Sequence, residues 1–291
     1  MSWTTWDPAP AILAVAVAAL VLFAQGFVRL RRRGRADLVG VDRALLFSLG
    51  VAVAAVALVS PLDTAGDEYL LSAHMLQHVL IGDVAPALLV VAVRGPLAFF
   101  LLPCSALRVL ARGRVLRRVL AGLLRPSVSF GVWALAIGLW HIPAAYDYVL
   151  THPLAHDFEH LTFMLGGVLV WVQLVDPARR RALGRPGRLA FAACMFVAAA
   201  ALANLLLVYA TPLYPSYARI PDRLFGLSPL EDQQLAGLVM LVEQALSLGA
   251  CAAFLLCSPG QRGAAARARA VTKAAPRLPG QRTTEPRPVA S

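Results

Sequence analysis

The sequence predicts an all-α membrane protein, a polytopic helix bundle with about seven transmembrane helices. Hydrophobic residues make up 59% of its 291 residues, charged residues make up only 15%, and the mean hydropathy is +0.68. A soluble domain of this length needs more charge to cover its surface, whereas long apolar runs are typical of membrane spans. In addition, the basic residues are concentrated in alternate connections between these runs, as expected for a multi-pass protein.

Apolar runs long enough to cross the hydrocarbon core of a bilayer occur seven times. They lie near residues 9–28, 44–60, 72–93, 128–143, 156–175, 189–210 and 235–257. No basic segment precedes the first run, so we expect it to remain as an anchor and not to be cleaved. One further apolar stretch, Pro96–Leu110, is short and contains Pro103, and we expect it to be interfacial or re-entrant. Residues 1–257 therefore form the predicted transmembrane domain.

The distribution of arginine predicts the orientation of this domain. Every basic residue except Arg219 and Arg223 falls in the first, third or fifth connection or in the tail after Ser258. Because basic loops stay in the cytoplasm, the N-terminus is expected outside and the C-terminus inside a bacterial cytoplasmic membrane. The net charge of +11 is thus explained by topology, and no nucleic-acid motif accompanies it. The basic, Pro/Arg/Ala-rich tail, residues 258–291, is predicted to be disordered in the cytoplasm.

The six histidines are the strongest functional signal. In this topology all of them lie at or near the outer ends of the third, fourth and fifth spans, where polar side chains are costly and need a reason. His74 and His78 are spaced i and i+4, so their rings share a helix face, and His156 and His160 repeat this spacing. Two such pairs can supply four imidazoles, which suits copper or zinc.

Several further residues are candidates to support a metal at this site. The thioethers of Met75 and Met164 favour Cu(I), and His141 ends the fourth span. Asp232, near the start of the seventh span, is either a ligand, an acceptor that orients an imidazole, or a helix N-terminal acid. His152 precedes Pro153 and is expected to be only a turn residue.

Two acids are predicted to lie in the middle of the membrane, Asp83 in the third span and Glu243 in the seventh. An acid at this depth is a functional candidate. The pair could share a proton or bind a cation, or could be neutral acids bonded inside the bundle. The sequence leaves these alternatives open.

Six motifs in a fixed order resemble the multi-spanning CtaG family of cytochrome c oxidase assembly factors. Between residues 60 and 240 they read S-P-L-D, A-H-M-L-Q-H, W-H-I-P-A-A-Y-D, H-D-F-E-H, T-P-L-Y-P-S-Y and E-D-Q-Q-L-A-G-L-V-M. The resemblance marks certain positions of the family pattern as functional. In this sequence those positions are occupied by His74, Met75, His78, His141, His156, Glu159, His160, Asp232 and Met240. The match departs from the family after Met240, and Asp83 is not part of the pattern.

The resemblance implies a seven-helix protein that supports maturation of an aa3- or caa3-type terminal oxidase, with oxidase subunits as partners and a role in copper handling. It implies no catalytic turnover. Oxidase copper centres lie towards the outer side of the membrane, where the histidines are also predicted.

Two other functions remain open at this point. A zinc-dependent intramembrane lipid hydrolase would use three histidines and an activated water, with Ser72 and Asp232 nearby. A b-type haem protein would use two of the histidines as axial ligands.

Overall fold

The computed structural model describes residues 4, 6, 9–221 and 224–257, and all regular structure in these residues is helical. Residues up to Ala252 belong to one compact unit. A second unit starts at Ala253, and its described residues, Ala253–Cys257, are helical. The predicted tail, residues 258–291, lies outside the described residues.

The chain forms a series of helices of very different lengths. In chain order they are α1 (Pro10–Arg32), α2 (Val41–Val59), α3 (Pro61–Glu68), α4 (Leu71–Val79), α5 (Ala85–Ala92), α6 (Leu97–Phe100), α7 (Cys104–Arg112), α8 (Arg114–Leu123), α9 (Pro126–Trp140), α10 (Pro143–Val149), α11 (Pro153–Val175), α12 (Arg185–Val208), α13 (Pro215–Ala218) and α14 (Pro229–Cys257). A π-helical turn, Leu80–Val84, joins α4 to α5, and Ala36–Leu38 and Leu224–Gly226 are 3₁₀ turns.

Six helical segments are long and apolar enough to cross a membrane, which confirms the predicted class of fold. They are α1, α2, the continuous segment from α4 to α5, α11, α12 and α14. Each coincides with a predicted span to within a few residues at most ends. Proline at the first turn of α1, α11 and α12 suits these starts, because a first-turn residue needs no amide hydrogen for the helix.

The fourth predicted span, residues 128–143, differs from the structure. Helix α9 has 15 residues and is therefore only about 22 Å long, shorter than a hydrocarbon core of about 30 Å. It ends at Trp140 because Pro143 starts the next helix. A seventh span exists only if α8 and α9, which meet at a 75° bend, are counted together. Helix α8 alternates arginines with exposed valine and leucine, a pattern typical of an interfacial helix.

The stretch Pro96–Leu110 does not cross the bundle, in agreement with the sequence prediction. It forms α6, of four residues, and most of α7, of nine. The backbone of Phe100 packs on Gly26 of α1, where a Cβ atom would lie 3.0 Å from it. Arg29 also donates a hydrogen bond to the carbonyl of Leu102. The stretch therefore folds back against the arginine-rich end of α1.

A close contact between glycines determines how the third span packs against α11. A Cβ atom on Gly167 would lie 2.0 Å from the carbonyl oxygen of Gly82, in the π-helical turn, and 2.8 Å from the ring of Pro86. Only glycine permits this approach. The contact holds α4 and α11 side by side, so that their two histidine pairs face each other.

Candidate metal centre

The position of His74 and His78 is set by an unusual cap at the start of α4. Asp232, from α14, accepts hydrogen bonds from the backbone amides of Leu71 and Ser72, at 2.8 and 3.0 Å, and from the Ser72 hydroxyl at 2.6 Å. These amides have no partner within their own helix, and a carboxylate is favoured at this end of the helix dipole. Asp232 thus caps another helix and is not a member of the imidazole group. Of the roles predicted for it, the helix-terminal acid describes it best, although the helix is α4.

Two helices bring four imidazoles together. His74 and His78 extend from α4, His156 and His160 extend from α11, and one nitrogen from each ring lies within 4.8 Å of the other three. The centroids of the His74 and His78 rings are 4.2 Å apart, as are those of His156 and His160. Between the two helices, the ring centroids of His78 and His160 are 5.3 Å apart. The i, i+4 spacing therefore produces the facing pairs that it predicted.

A chain of hydrogen bonds determines which nitrogen of His74 is free to bind a cation. Burial raises the pKa of Tyr217 well above its ordinary value, so its hydroxyl is protonated, and it donates to the carbonyl of Gly66 at 2.5 Å. Its oxygen accepts from Nδ1 of His74 at 3.0 Å. With the proton on Nδ1, the Nε2 lone pair of His74 faces the cluster, the tautomer that a metal needs.

The Nε2 atoms of His74 and His78 are 2.8 Å apart. Since Nε2 of His74 carries the lone pair, Nε2 of His78 donates the proton in this contact. Two nitrogens on one tetrahedral metal would stand about 3.3 Å apart. Metal binding between them therefore requires loss of that proton and a small separation of the rings.

Two acids lie beside the cluster: Glu159, which the family resemblance marks as functional, and Asp67, which the sequence does not single out. Asp67, at the end of α3, lies 3.4 Å from Nδ1 of His74 and 3.6 Å from Nδ1 of His156. Burial, assisted by Asp63 and Glu68, raises the pKa of Asp67 to about 7. Glu159 is fully buried, and its Oε1 lies 3.9 Å from Nε2 of His78. Glu159 lies in a motif of the family pattern and Asp67 does not, and the proximity of both to the imidazoles depends on the packing of α3 and α11 on α4.

The cluster contains polar atoms that the described residues leave without a hydrogen-bond partner. They are Nδ1 of His78, Nε2 of His156, Nε2 of His160 and both carboxylate oxygens of Glu159. Unpartnered buried polar atoms are costly, more so within a membrane. A cation bound by the imidazoles and balanced by the acids would remove that cost, so these residues fit a metal ion. Side-chain exposure of 13% at His156 marks the most accessible edge of the site.

The remaining histidines have separate environments. His141 follows the last residue of α9, and its Nδ1 lies 2.8 Å from the carbonyl oxygen of Ile137, to which it donates. Its Nε2 is buried and has no partner among the described residues. His152 is exposed in the turn before α11, where it stacks on Tyr148 at 3.8 Å, and it lies outside the four-imidazole group.

The methionines near the histidines, Met75, Met164 and Met240, do not all lie in the same environment. Met75 is fully buried and Met240 nearly so, in an apolar cluster with Tyr146 and Tyr217 at the histidine end of the bundle. Both also line a cavity together with His78. Met164, one turn beyond His160 on α11, is half-buried and is not among the residues that line this cavity.

The acids in the middle of the membrane form a second polar centre. Asp83, in the π-helical turn, accepts hydrogen bonds from Gln244 at 3.0 Å and Ser247 at 2.6 Å, and a further bond from the indole of Trp171. Glu243 lies within hydrogen-bonding reach of Asp83, which requires a proton between the two carboxyls. A proton shared by the two acids is one of the alternatives that the sequence left open.

The candidate membrane spans and the buried group of four imidazoles between them define the class of molecule, a polytopic membrane protein with a candidate metal centre. The sequence matches the profile described as cytochrome c oxidase caa3 assembly factor (Caa3_CtaG) over residues 21–258, and the chain belongs to this family. It is also similar to two uncharacterized proteins, from Mycobacterium bovis and Mycobacterium tuberculosis, each 27% identical over 244 residues. The matched region covers 80% of this chain but only 36% of each relative. No solved structure matches the chain.

Proposed function

We propose that this protein binds copper through His74, His78, His156 and His160 and supports metallation of a caa3-type cytochrome c oxidase. The observation that carries the proposal is the group of four imidazole nitrogens within 4.8 Å of one another. Imidazole suits both copper and zinc, and copper binds the more strongly of the two as a divalent ion. Membership of an oxidase assembly family favours copper, because an oxidase needs copper delivered to it.

The donor set favours carriage over hydrolysis. A catalytic zinc keeps three protein ligands and one open position for water, whereas four imidazoles close a tetrahedral site. The residues that a hydrolase would use are also engaged elsewhere, because the Ser72 hydroxyl and Asp232 bond to each other at the start of α4. The chain accordingly acts as a carrier and not as an enzyme.

The geometry also disfavours a haem between two histidines. Five of the six pairs among the four rings have centroids 4.2–6.4 Å apart, and the His78 ring also lies against Phe163. The adjoining cavity has room of about 50 Å³, far less than a macrocycle requires. A purified protein without a Soret band is the expected result.

In the cell, the histidine end of the bundle faces the outside of a bacterial cytoplasmic membrane, where it meets the copper-receiving subunits of the oxidase. The arginine-rich connections then lie in the cytoplasm. We expect a reporter enzyme that works only in the cytoplasm to be active when fused after Pro259. Activity of a reporter that works only in the periplasm, fused at the same position, would show that the orientation is the reverse of the one proposed.

The experiment that tests the function compares oxidase from a deletion strain complemented with wild type, His78→Ala or His152→Ala. We expect the deletion and His78→Ala strains to assemble oxidase low in copper and in activity, although His78→Ala protein accumulates in the membrane. Added copper should partly restore activity, because a higher free concentration replaces a carrier by mass action.

The His152→Ala strain is the matched control, since this ring is exposed and outside the cluster. Its oxidase should contain as much copper as that of the wild type. Fully metallated, active oxidase in the deletion strain would refute the assembly role for that oxidase. A missing lipid product that copper does not restore would favour the hydrolase.

A further inference from the structure

A cavity lies directly beneath the four-imidazole cluster, on the side towards the centre of the membrane. His78, Met75, Met240 and His141 line it, and Asp83 and Gln244 line its inner end. Its volume of about 50 Å³ is several times what one water molecule needs. The residues come from four separate segments, α4, the end of α9, the π-helical turn and α14, so tertiary packing alone creates this combination.

The cavity walls carry two ring nitrogens with free lone pairs. His141 donates its Nδ1 proton to Ile137, so its Nε2 is the lone-pair nitrogen, and this atom is buried without a partner in the described chain. His78 uses Nε2 in its contact with His74, so its Nδ1 carries the lone pair, and this atom is also buried and unpartnered. Both rings are more than nine-tenths buried.

The thioethers distinguish this cavity from the cluster above it. Met75 is fully buried and Met240 is 7% exposed, and both belong to the walls. Thioether sulfur is a soft ligand that selects Cu(I), and zinc is better served by imidazole. Asp83 at the inner end supplies a nearby acid, which would lower the cost of a positive charge at this depth.

From these observations we infer a second metal site in the cavity, which binds Cu(I) through Met75, Met240, His141 and Nδ1 of His78. Because His78 belongs to both sites, its ring connects them: when both are filled, the Nε2 proton of His78 is released to solvent and the ring bridges the two metals as an imidazolate. Copper can then pass from the four-imidazole cluster to the cavity across a single ring. The inference rests on the proposed copper function and assigns to that function a second, sulfur-containing position.

The test uses the full-length protein purified in detergent and titrated anaerobically with Cu(I) against a competing chelator. The variants are Met75→Leu and Met240→Leu, which conserve side-chain volume and should keep the fold. Met195→Leu is the matched control, because Met195 is fully buried in a different apolar cluster around Trp171. We expect wild type and Met195→Leu to bind one equivalent of Cu(I) more than either cavity variant. X-ray absorption should detect a sulfur neighbour of copper only in the two proteins that retain the cavity methionines.

The two sites can fail independently in this experiment. Equal Cu(I) binding by all four proteins, with no sulfur neighbour of copper in wild type, would overturn the cavity site and leave the cluster intact. The cluster is tested with Zn²⁺, which should bind wild type and both cavity variants equally but not His156→Ala. Zinc binding that survives His156→Ala would count against the cluster, while the cavity site would still be judged by the Cu(I) and sulfur results.

Discussion

The protein buries two polar centres between the same helices, and they differ in how their polar atoms are satisfied. Around Asp83, the carboxylate receives hydrogen bonds from Trp171, Gln244 and Ser247. Around the histidines, ring nitrogens of His156 and His160 have no partner among the described residues. Burial in an apolar environment is costly for both centres. The Asp83 carboxylate is compensated by donors of the protein, although Oε1 of Glu243 and Oε1 of Gln244 beside it have no partner among the described residues, whereas these histidine nitrogens have no partner there at all.

This difference separates a structural centre from a binding centre. Buried polar groups in proteins are nearly always hydrogen-bonded, and exceptions need a specific explanation. The hydrogen-bonded Asp83 carboxylate holds α14 against the third span through Gln244 and Ser247. The four imidazoles, with unpartnered ring nitrogens beside an unpartnered Glu159 carboxylate, fit the cation that we propose for this centre. Substitutions should therefore affect folding at the first centre and metal binding at the second.

The largest effect is expected where both centres depend on the same contact. Gly167→Ala would place a methyl group 2.0 Å from the Gly82 carbonyl oxygen, which should cost about 3 kcal/mol or more because backbone atoms must shift. We expect the variant to accumulate poorly in membranes and to lose bound metal. The control is Gly138→Ala on α9, where a Cβ atom meets nothing within 4 Å and the stability should be unchanged or higher. Normal accumulation of Gly167→Ala would show that α11 and the third span can move apart without loss of stability, contrary to this account.

The next largest effect is expected at the acid centre. Asp83→Leu would leave the donors of Trp171, Gln244 and Ser247 without their acceptor, at a cost of about 2–4 kcal/mol. The melting temperature in detergent should fall clearly, whereas the zinc bound per chain by the protein that remains folded should not change. Asp83→Asn, which keeps an acceptor, should lose less stability. Loss of zinc from folded Asp83→Leu would contradict the division between the two centres.

A smaller effect is expected at Tyr217, which positions His74 through a hydrogen bond and does not itself bind the metal. Tyr217→Phe should weaken metal binding by about 10-fold, within the range seen when the partner of a metal-bound histidine is removed. The number of metal ions bound at saturation should stay the same. Tyr148→Phe is the control, since Tyr148 is exposed and stacks on His152. Equal affinities in both variants would mean that the proton on His74 is placed by another group.

Much of the fold and part of the site could be predicted from the sequence. Apolar runs locate six of the spans, and the i, i+4 histidine pairs identify the cluster, because both signals are periodic and local. The bend between α8 and α9 and the π-helical turn at Asp83 were not predicted, since each depends on packing against other helices. For the same reason the sequence does not predict the roles of Asp67 and Tyr217, or the contact of Glu159 with an imidazole of the cluster. For Asp232 the sequence leaves open a metal ligand, an orienting acceptor or an acid at the start of its own helix, and only the tertiary packing reveals that it caps α4, which is far away in the sequence.

The central claim, that the unsatisfied histidine centre holds a metal, is tested most directly by the metal content of the purified protein. Wild type, His160→Ala and His152→Ala should be purified in detergent under identical conditions, and copper and zinc should be measured per chain by elemental analysis. We expect metal in wild type and His152→Ala and a sharp loss in His160→Ala, because only His160 belongs to the four-imidazole group. Equal metal content in His160→Ala and wild type would contradict the claim.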